Sequence, residues 1–430
     1  MRTIRVAVAG LGFVGRRTVE LLGSNARRYA AALGARLELA AVCDRGVARE
    51  ARALKLPASV RRVTRPLALL DVSEVDVVVE LMGGLDAPRA LALAALGKGR
   101  HVVTANKRLL ASCWRELQAA RARGGGRLCF EGSVAGGIPI VQALETGLAA
   151  NEIQSVFGIL NGTTNFILSR LEEGAPYAEA LATAQRLGFA EKDPAFDVSG
   201  ADTAQKLSVL AALLTGAPLD ERRLPRQGIE RVEAEDVRFA REALGRAPRL
   251  LGALKISWGK SPRVAAHVAP TLVPLGHPLA SVRDEYNAVL VRASLAGDQM
   301  FYGKGAGPGP TASAVVADVL MLARDILGGR PAPAAPAARC AQADPDDDVS
   351  SFYLRLSVAD KPGVLARIAA ALGERGISIA SIRQPEAKGR AGTSVVLTTH
   401  ETTSGRFSRA LAKILRLPSV ESRHTVMRML

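Results

Sequence analysis

With 430 residues the chain is long enough for two or three domains, and 48% hydrophobic against 4% aromatic residues indicates an Ala/Leu/Val-rich enzyme more than an aromatic platform for nucleic acid. The formal charge of +16 comes mostly from arginines scattered along helices, with no dense basic run, so no nucleic-acid partner is expected. No apolar run reaches the roughly 18 residues that span a bilayer, so no membrane partner is expected. Cys43, Cys113, Cys129 and Cys340 show no C-x-x-C, which suits a reduced cytoplasm and argues against a structural zinc site.

Ile4 to Ala9 is an apolar strand that begins almost at Met1, so no targeting peptide is expected. It runs into GLGFVG, where Gly10, Gly12 and Gly15 have G-x-G-x-x-G spacing and, with Phe13 and Val14, open a helix. Strand, glycine turn and helix together predict a dinucleotide site, with a pyrophosphate at the helix N-terminus. Leu37 to Val42 reads as the second strand, ending in Asp44 and Arg45. An acid there would accept from the ribose hydroxyl of NAD, an arginine would pair with the extra phosphate of NADP, and the pair leaves the choice open. Val75 to Glu80 is a third strand, and His101 to Thr104 leads into Ala105, Asn106 and Lys107, a lysine placed where ligands of open α/β sheets bind.

After Glu131 the alternation of strand and helix changes, which sets a domain boundary. Ser155 to Leu160 reads as a strand, followed by NGTTNFIL, where Thr163 or Thr164 is expected to cap a helix. Ala184 to Lys206 then gathers Glu191, Asp193 and Asp197 on turn-rich chain, with Ser199 as the expected N-cap of a helix bearing Asp202 and Lys206 one turn apart. That face continues into Val209 and Leu213, so the charges open an apolar surface instead of a solvated one. Carboxylates beside a lysine suit a small zwitterionic substrate. Further strands are expected at Leu250 to Trp258, Val264 to Leu272 and Ala288 to Ala296. Gly297 to Pro310 reads as a loop and Thr311 as the cap of a helix to Leu327. A linker over 329–350 precedes a strand, helix, strand, strand, helix, strand order from Ser351.

The spacing A-x3-G-F-A-x2-D-P-x2-D-V-x-G-x-D-x3-K, together with GLGFVG, VTANK and GILNGTTNFIL, resembles the homoserine dehydrogenase family. DKPGVLARIA, Asp360 to Ala369, resembles the loop and first helix of an ACT domain. The resemblance implies an α/β fold in three parts. These are a Rossmann-type doubly wound parallel sheet over 1–130, joined by a returning helix at 305–328, an α+β substrate and dimerisation domain over 131–304, and a C-terminal ACT-like βαββαβ domain over 351–430.

It also implies hydride transfer between a nicotinamide, NADP or NAD, and the carbonyl of aspartate semialdehyde. Lys206, with a reference pKa of about 10.4, would supply the proton to the alkoxide, and Asp202 would orient it. Glu191 would take the substrate ammonium, Asp197 would join the substrate site, Lys107 would lie near substrate and cofactor, and Gly303 near the cofactor. A monovalent cation, Na+, would be held by the main chain of Val134, Gly136 and Ile138 beside Glu131. Threonine would be the effector at the ACT domain, where Gly363 lets a carboxylate reach the helix start, and a homodimer or homotetramer would be the assembly. A different amino-acid-linked dehydrogenase would lack the spacing from Glu191 to Lys206. A non-catalytic amino-acid sensor would give no cofactor absorbance change with homoserine.

Overall fold

The computed structural model describes residues 2–72, 74–331, 340–384 and 392–430. The chain divides into two units, the first made of 1–153, 205–219 and 293–340, the second of 154–204, 220–292 and 341–430.

The first unit carries a parallel sheet of β1 (Thr3–Ala9), β2 (Arg36–Cys43), β3 (Arg61–Val63), β4 (Val77–Glu80), β5 (His101–Thr104) and β6 (Leu128–Cys129), in the order β3-β2-β1-β4-β5-β6. Every neighbouring pair is parallel, so each connection crosses a face of the sheet. Ile4, Val6 and Val8 alternate along β1 into a core with Val77, Val79 and Val103. The helix Pro308–Leu327 returns to this core through Val315, Val316, Val319 and Leu322, spaced as one helical face. The chain order reverses between β1 and β4, where a crevice opens at the strands' carboxyl ends.

The second unit is built on one mixed sheet from β7 (Ile153–Ile159), β8 (Arg246–Ser257), β9 (Arg263–Pro274) and β10 (Tyr286–Ala293). After β11 (Gly297–Lys304) and β12 (Ala341–Gln342) come β13 (Val349–Ala359), β14 (Ile379–Arg383), β15 (Gly392–Thr399), β16 (Thr402–Thr403) and β17 (Val420–Met429). The order is β10-β7-β8-β9-β17-β13-β15-β14. Phe352, Leu354, Leu356 and Val358 alternate on β13 and pack on Ile368, Leu372, Phe407 and Ile414 of two helices, with Phe352 stacked on Phe407 at 4.0 Å. The β17–β9 join has two parallel residue pairs, Arg428 with Thr271 and Met429 with Leu272.

Three local expectations change. Gly297–Lys304 is a strand, and its largely exposed residues leave no apolar alternation to reveal it. Within the expected linker, 332–339 lie outside the described residues, but Ala341–Gln342 pairs with β9 and Asp348 is buried, so ordered chain begins well before 351. Asp348 is held there by ion pairs with Arg428 and Lys255 and a bond to His267, which composition cannot reveal. The helix expected from a Thr311 cap starts at Pro308 instead, because proline fits the first helical turn. No helix among the described residues is long and apolar enough to cross a membrane.

Candidate active site

At the carboxyl ends of β1, β4 and β5 the glycine turn is built by contact limits. Gly10 has φ +93°, and a Cβ there would stand 2.5 Å from the Leu81 oxygen. One on Gly15 would stand 1.9 Å from the Gly10 oxygen. Gly12 faces open space, and the helix Phe13–Ser24 that follows has no side-chain cap, so its first amides are open to an anion. Asp44 holds the turn from β2: Leu11 N donates to Oδ2 at 2.9 Å and Gly46 N to Oδ1 at 2.8 Å.

A cavity of about 370 Å³ lies in this unit, lined by Val14, Leu81, Gly83, Lys107, Gly132, Ser133, Gly136 and Lys206 among others. Lys206 is only 9% exposed. It sits on the helix Ala201–Thr215, and the Gly216 carbonyl just past that helix accepts from Trp114 Nε1 at 3.1 Å. Behind the β4 end, buried Glu80 accepts from Thr104 Oγ1 at 2.6 Å and Met82 N at 2.8 Å; burial raises its pKa, against the pull of those bonds. Asn106 caps the helix Lys107–Gly124 through Leu109 N and donates to the Gly84 carbonyl, so the turn bearing Lys107 is tied to the neighbouring strand's loop.

The Glu131 loop is fixed from below. Val141 N and Gln142 N donate to the two oxygens of Glu131, each at 2.8 Å, while Glu131 N donates to Asp318 Oδ2 at 2.9 Å. Burial pushes Glu131 up to about 6 and Asp318, close to it, up to about 8.

In the second unit Asn161 is the organiser. Its Oδ1 accepts from Thr164 N at 2.8 Å, capping the helix Gly162–Glu172, which leaves Nδ2 to donate to Asp197 Oδ1 at 2.7 Å and Asp202 Oδ2 at 2.9 Å. Thr163 Oγ1 reaches Asp197 Oδ2 at 3.3 Å. Asp202, 4% exposed, precedes Lys206 by one turn of the same helix.

The chain's sequence matches a homoserine dehydrogenase family model over residues 139–320, the NAD-binding domain model of homoserine dehydrogenase over 10–131, and an ACT domain model over 352–419. Homoserine dehydrogenase of Neisseria gonorrhoeae is 39% identical, with 100% of this chain and 99% of the relative covered. That of Corynebacterium glutamicum is also 39% identical, over 99% and 95%. The chain belongs to the homoserine dehydrogenase family. Its reaction is the nicotinamide-dependent interconversion of L-homoserine and L-aspartate 4-semialdehyde, part of amino-acid biosynthesis. A solved homoserine dehydrogenase from Thiobacillus denitrificans matches with TM-score 0.90 at 38% identity, covering 100% of this chain and 99% of that one. A hyperthermophilic archaeal homoserine dehydrogenase mutant in complex with NADPH matches with TM-score 0.63 at 25% identity, over 74% of this chain and 97% of that one.

Among the residues expected of a homoserine dehydrogenase site, Val14, Lys107, Gly136 and Lys206 line one cavity. Gly303 lies on β11, two residues before the lining Gly305. Glu191 is exposed, and Gln185 Nε2 holds its main-chain oxygen at 3.1 Å. Asp197 sits on a short helix, Ala195–Val198, not on irregular chain. Ser199 closes that helix in αR geometry and Gly200 at φ +78° precedes the next, so Ser199 is not an N-cap. Glu131 commits both carboxylate oxygens to main-chain amides, which makes it a cap for the turn at 140–142. The cap at the second block is Asn161, not a threonine, because only it precedes the first helical residue. Glu80 and Asn161 are buried hydrogen-bonding positions beside these residues that sequence reasoning passed over. An acid closing the apolar run VVVE was the available signal for the first, and the asparagine opening NGTTN for the second.

Proposed function

We propose that this homoserine dehydrogenase protonates the nascent alkoxide through Lys206, directly or through one water, when aspartate semialdehyde is reduced. The supporting observation is that Lys206 and Lys107 line one cavity with Val14 and Leu81 of the glycine-turn crevice. The nicotinamide, when bound, supplies the hydride or takes it up. The open amides after Gly12 fit its pyrophosphate, and Gly10 and Gly15 are the only residue type their contacts admit. Lys107, carried just past β5, stabilises the developing oxyanion, and the burial of Lys206 strengthens that cation's effect by excluding water. Asp202 orients Lys206 from one turn below, itself held by Asn161. Asp197 and Glu191 receive the substrate ammonium.

Lys206→Ala should lower kcat for homoserine oxidation by about 10²–10⁴ with NADP affinity kept, measured by absorbance at saturating cofactor and by equilibrium cofactor binding. A variant with wild-type turnover removes Lys206 from this role.

NADP is the preferred cofactor in this reading, because the Asp44 carboxylate is engaged by Leu11 N and Gly46 N while Arg45 beside it is exposed. Arg45→Ala should cut kcat/KM for NADP by about tenfold and leave NAD little changed. A sodium ion fits the main-chain oxygens of Val134, Gly136 and Ile138, where Ala135 and Gly136 take left-handed φ of +52° and +53°. Replacing NaCl by choline chloride at equal ionic strength should then lower the rate. Threonine is the effector of the ACT domain, approaching the uncapped helix Val364–Gly373 at Gly363, whose φ is +83°. The assembly is a homodimer or homotetramer, and free thiols at Cys43, Cys113 and Cys129 fit the cytoplasm.

A further inference from the structure

Glu80 ends β4 fully buried, and the groups against its carboxylate are donors. Oε1 accepts from Met82 N at 2.8 Å and Oε2 from Thr104 Oγ1 at 2.6 Å, while Gly83 N and the Asn106 side chain also bond to it. Taking a carboxylate out of water is costly, and the residues before it on the same strand, Val77, Val78 and Val79, carry no such cost. What the carboxylate provides is a tie between two segments of the first unit.

The first segment is the loop 81–84, where Gly83 and Gly84 stand at φ +73° and +75°. Two consecutive left-handed glycines have little stiffness of their own, so this loop takes its shape from its bonds. The second is the turn 104–107, which opens the helix Lys107–Gly124. Thr104 Oγ1, having given its hydrogen to Glu80, accepts from Asn106 N at 3.0 Å, and Asn106 Nδ2 donates to the Gly84 oxygen at 2.9 Å. Glu80, Thr104, Asn106 and the main chain of 82–84 thus close a ring. Both segments line the same cavity, Leu81 and Gly83 from the loop, Ala105 and Lys107 from the turn, and Glu80 lies behind that lining. Lys107 stands at the first position of its helix, where a cation faces the positive end of the helix dipole. The helix start gives that ammonium no favourable anchor, which leaves the bonds of the turn to fix where the lysine begins.

We propose that Glu80 is a positioning residue for the dehydrogenase reaction, acting through the Thr104 hydroxyl to hold the Lys107 turn against the loop 81–84. The proposal rests on the reading of Lys107 as the group that stabilises the developing oxyanion. A charged donor displaced by about 1 Å from the reacting oxygen loses on the order of 10²-fold in rate, so a turn tied at both ends matters to turnover. Thr104 is the polar hinge of the tie, because its hydroxyl is used in both directions, as donor to the carboxylate and as acceptor from the Asn106 amide.

The test removes the hydroxyl and keeps the carboxylate, because Glu80→Ala would leave several buried donors without a partner at once. Thr104→Val, nearly the same shape, should lower kcat for homoserine oxidation by about tenfold or more at saturating NADP, and Thr104→Ser should return it to within about threefold of wild type. In a Lys107→Ala background the same Thr104→Val change should cost less than about threefold, since the group it positions is gone. A second readout uses the chain without cofactor: acetylation by limiting acetic anhydride, followed by peptide mass spectrometry, should be about threefold or more faster at Lys107 in Thr104→Val and unchanged at exposed Lys98. Wild-type labelling of Lys107 in Thr104→Val overturns the proposal, as does wild-type turnover there when Lys107→Ala lowers it. An equal loss in both backgrounds, which marks a general loosening of the fold, or a Thr104→Ser variant no better than Thr104→Val, overturns it too. Should Lys107→Ala alone keep wild-type turnover, the oxyanion reading of Lys107 is what fails, and faster labelling in Thr104→Val still upholds the tie to Glu80.

Discussion

The two units keep their charges in different places. In the first, the ionisable groups of interest stand at strand ends and around a cavity: Lys107 after β5, Lys206 in the lining, Asp44 at the tip of β2. In the second, they are sunk among strands and helices and matched in sets. Asp236, fully buried, takes Arg355 Nε at 2.6 Å and Nη2 at 3.0 Å, Tyr353 Oη at 2.8 Å and Thr425 Oγ1 at 3.2 Å. Arg249, also fully buried, pairs with Glu172. A charge at a strand end keeps part of its hydration and is available to a ligand, whereas a charge in the sheet is worth its desolvation only while every partner is present.

The sharpest way to break this contrast is to remove one charge from each unit. Lys206→Ala should cost two to four orders of magnitude in turnover with the melting temperature nearly unchanged. Asp236→Ala should do the reverse, losing about 3–5 kcal/mol of stability by leaving Arg355 buried without its main partner, while the folded fraction keeps its turnover per molecule. Chemical denaturation and active-site titration separate the two. If Asp236→Ala unfolds at the wild-type midpoint, the buried set contributes nothing to holding β13 against the helix Ala234–Leu244.

A second pair of changes concerns backbone. Gly15→Ala should lose nucleotide binding and about 1–3 kcal/mol of stability, because its Cβ collides with the Gly10 carbonyl. Gly34→Ala, on the same unit, meets no atom and differs only by the strain of φ +63°, so it should keep cofactor binding. Thermal melts with and without NADP read both.

A further expected effect is a pH slope. His267 in the folded chain has its pKa pushed down to about 4 by burial, below its ordinary 6.5. As pH falls below 6.5 the unfolded chain takes up a proton that the folded chain refuses until about 4, so stability should decline across that window and be indifferent to this group above it. His267→Gln keeps a donor for Asp348 and should flatten the decline, measured as melting temperature against pH from 7 to 4.

The same contrast decides what could be read in the sequence. The first unit's signal is local along the chain: an apolar strand, then a glycine turn in which Gly15 packs on the Gly10 carbonyl five residues before it. The motif residues Lys107 and Lys206 were therefore nameable, and they line one cavity. The second unit depends on pairings across more than a hundred residues, such as Tyr353 with Asp236 at a separation of 117, for which no local pattern exists. The caps failed for a related reason. A threonine and an asparagine compete for one helix start, and Asn161 takes it because the helix begins at Gly162, with its amide nitrogen bonded to Asp197 and Asp202 far along the chain. Strand β11 escaped notice because it buries little, and alternation can be read only where one face is dry.

The placement of β17 has a consequence for biosynthesis. It is translated after the other described strands, yet it inserts between β9 and β13. Until it arrives, both neighbours carry open hydrogen-bonding edges, able to recruit a second nascent chain. A premature stop that removed only residues 420–430 would leave those edges bare permanently, and the truncated product should accumulate in inclusion bodies even though its glycine turn and both lysines are intact.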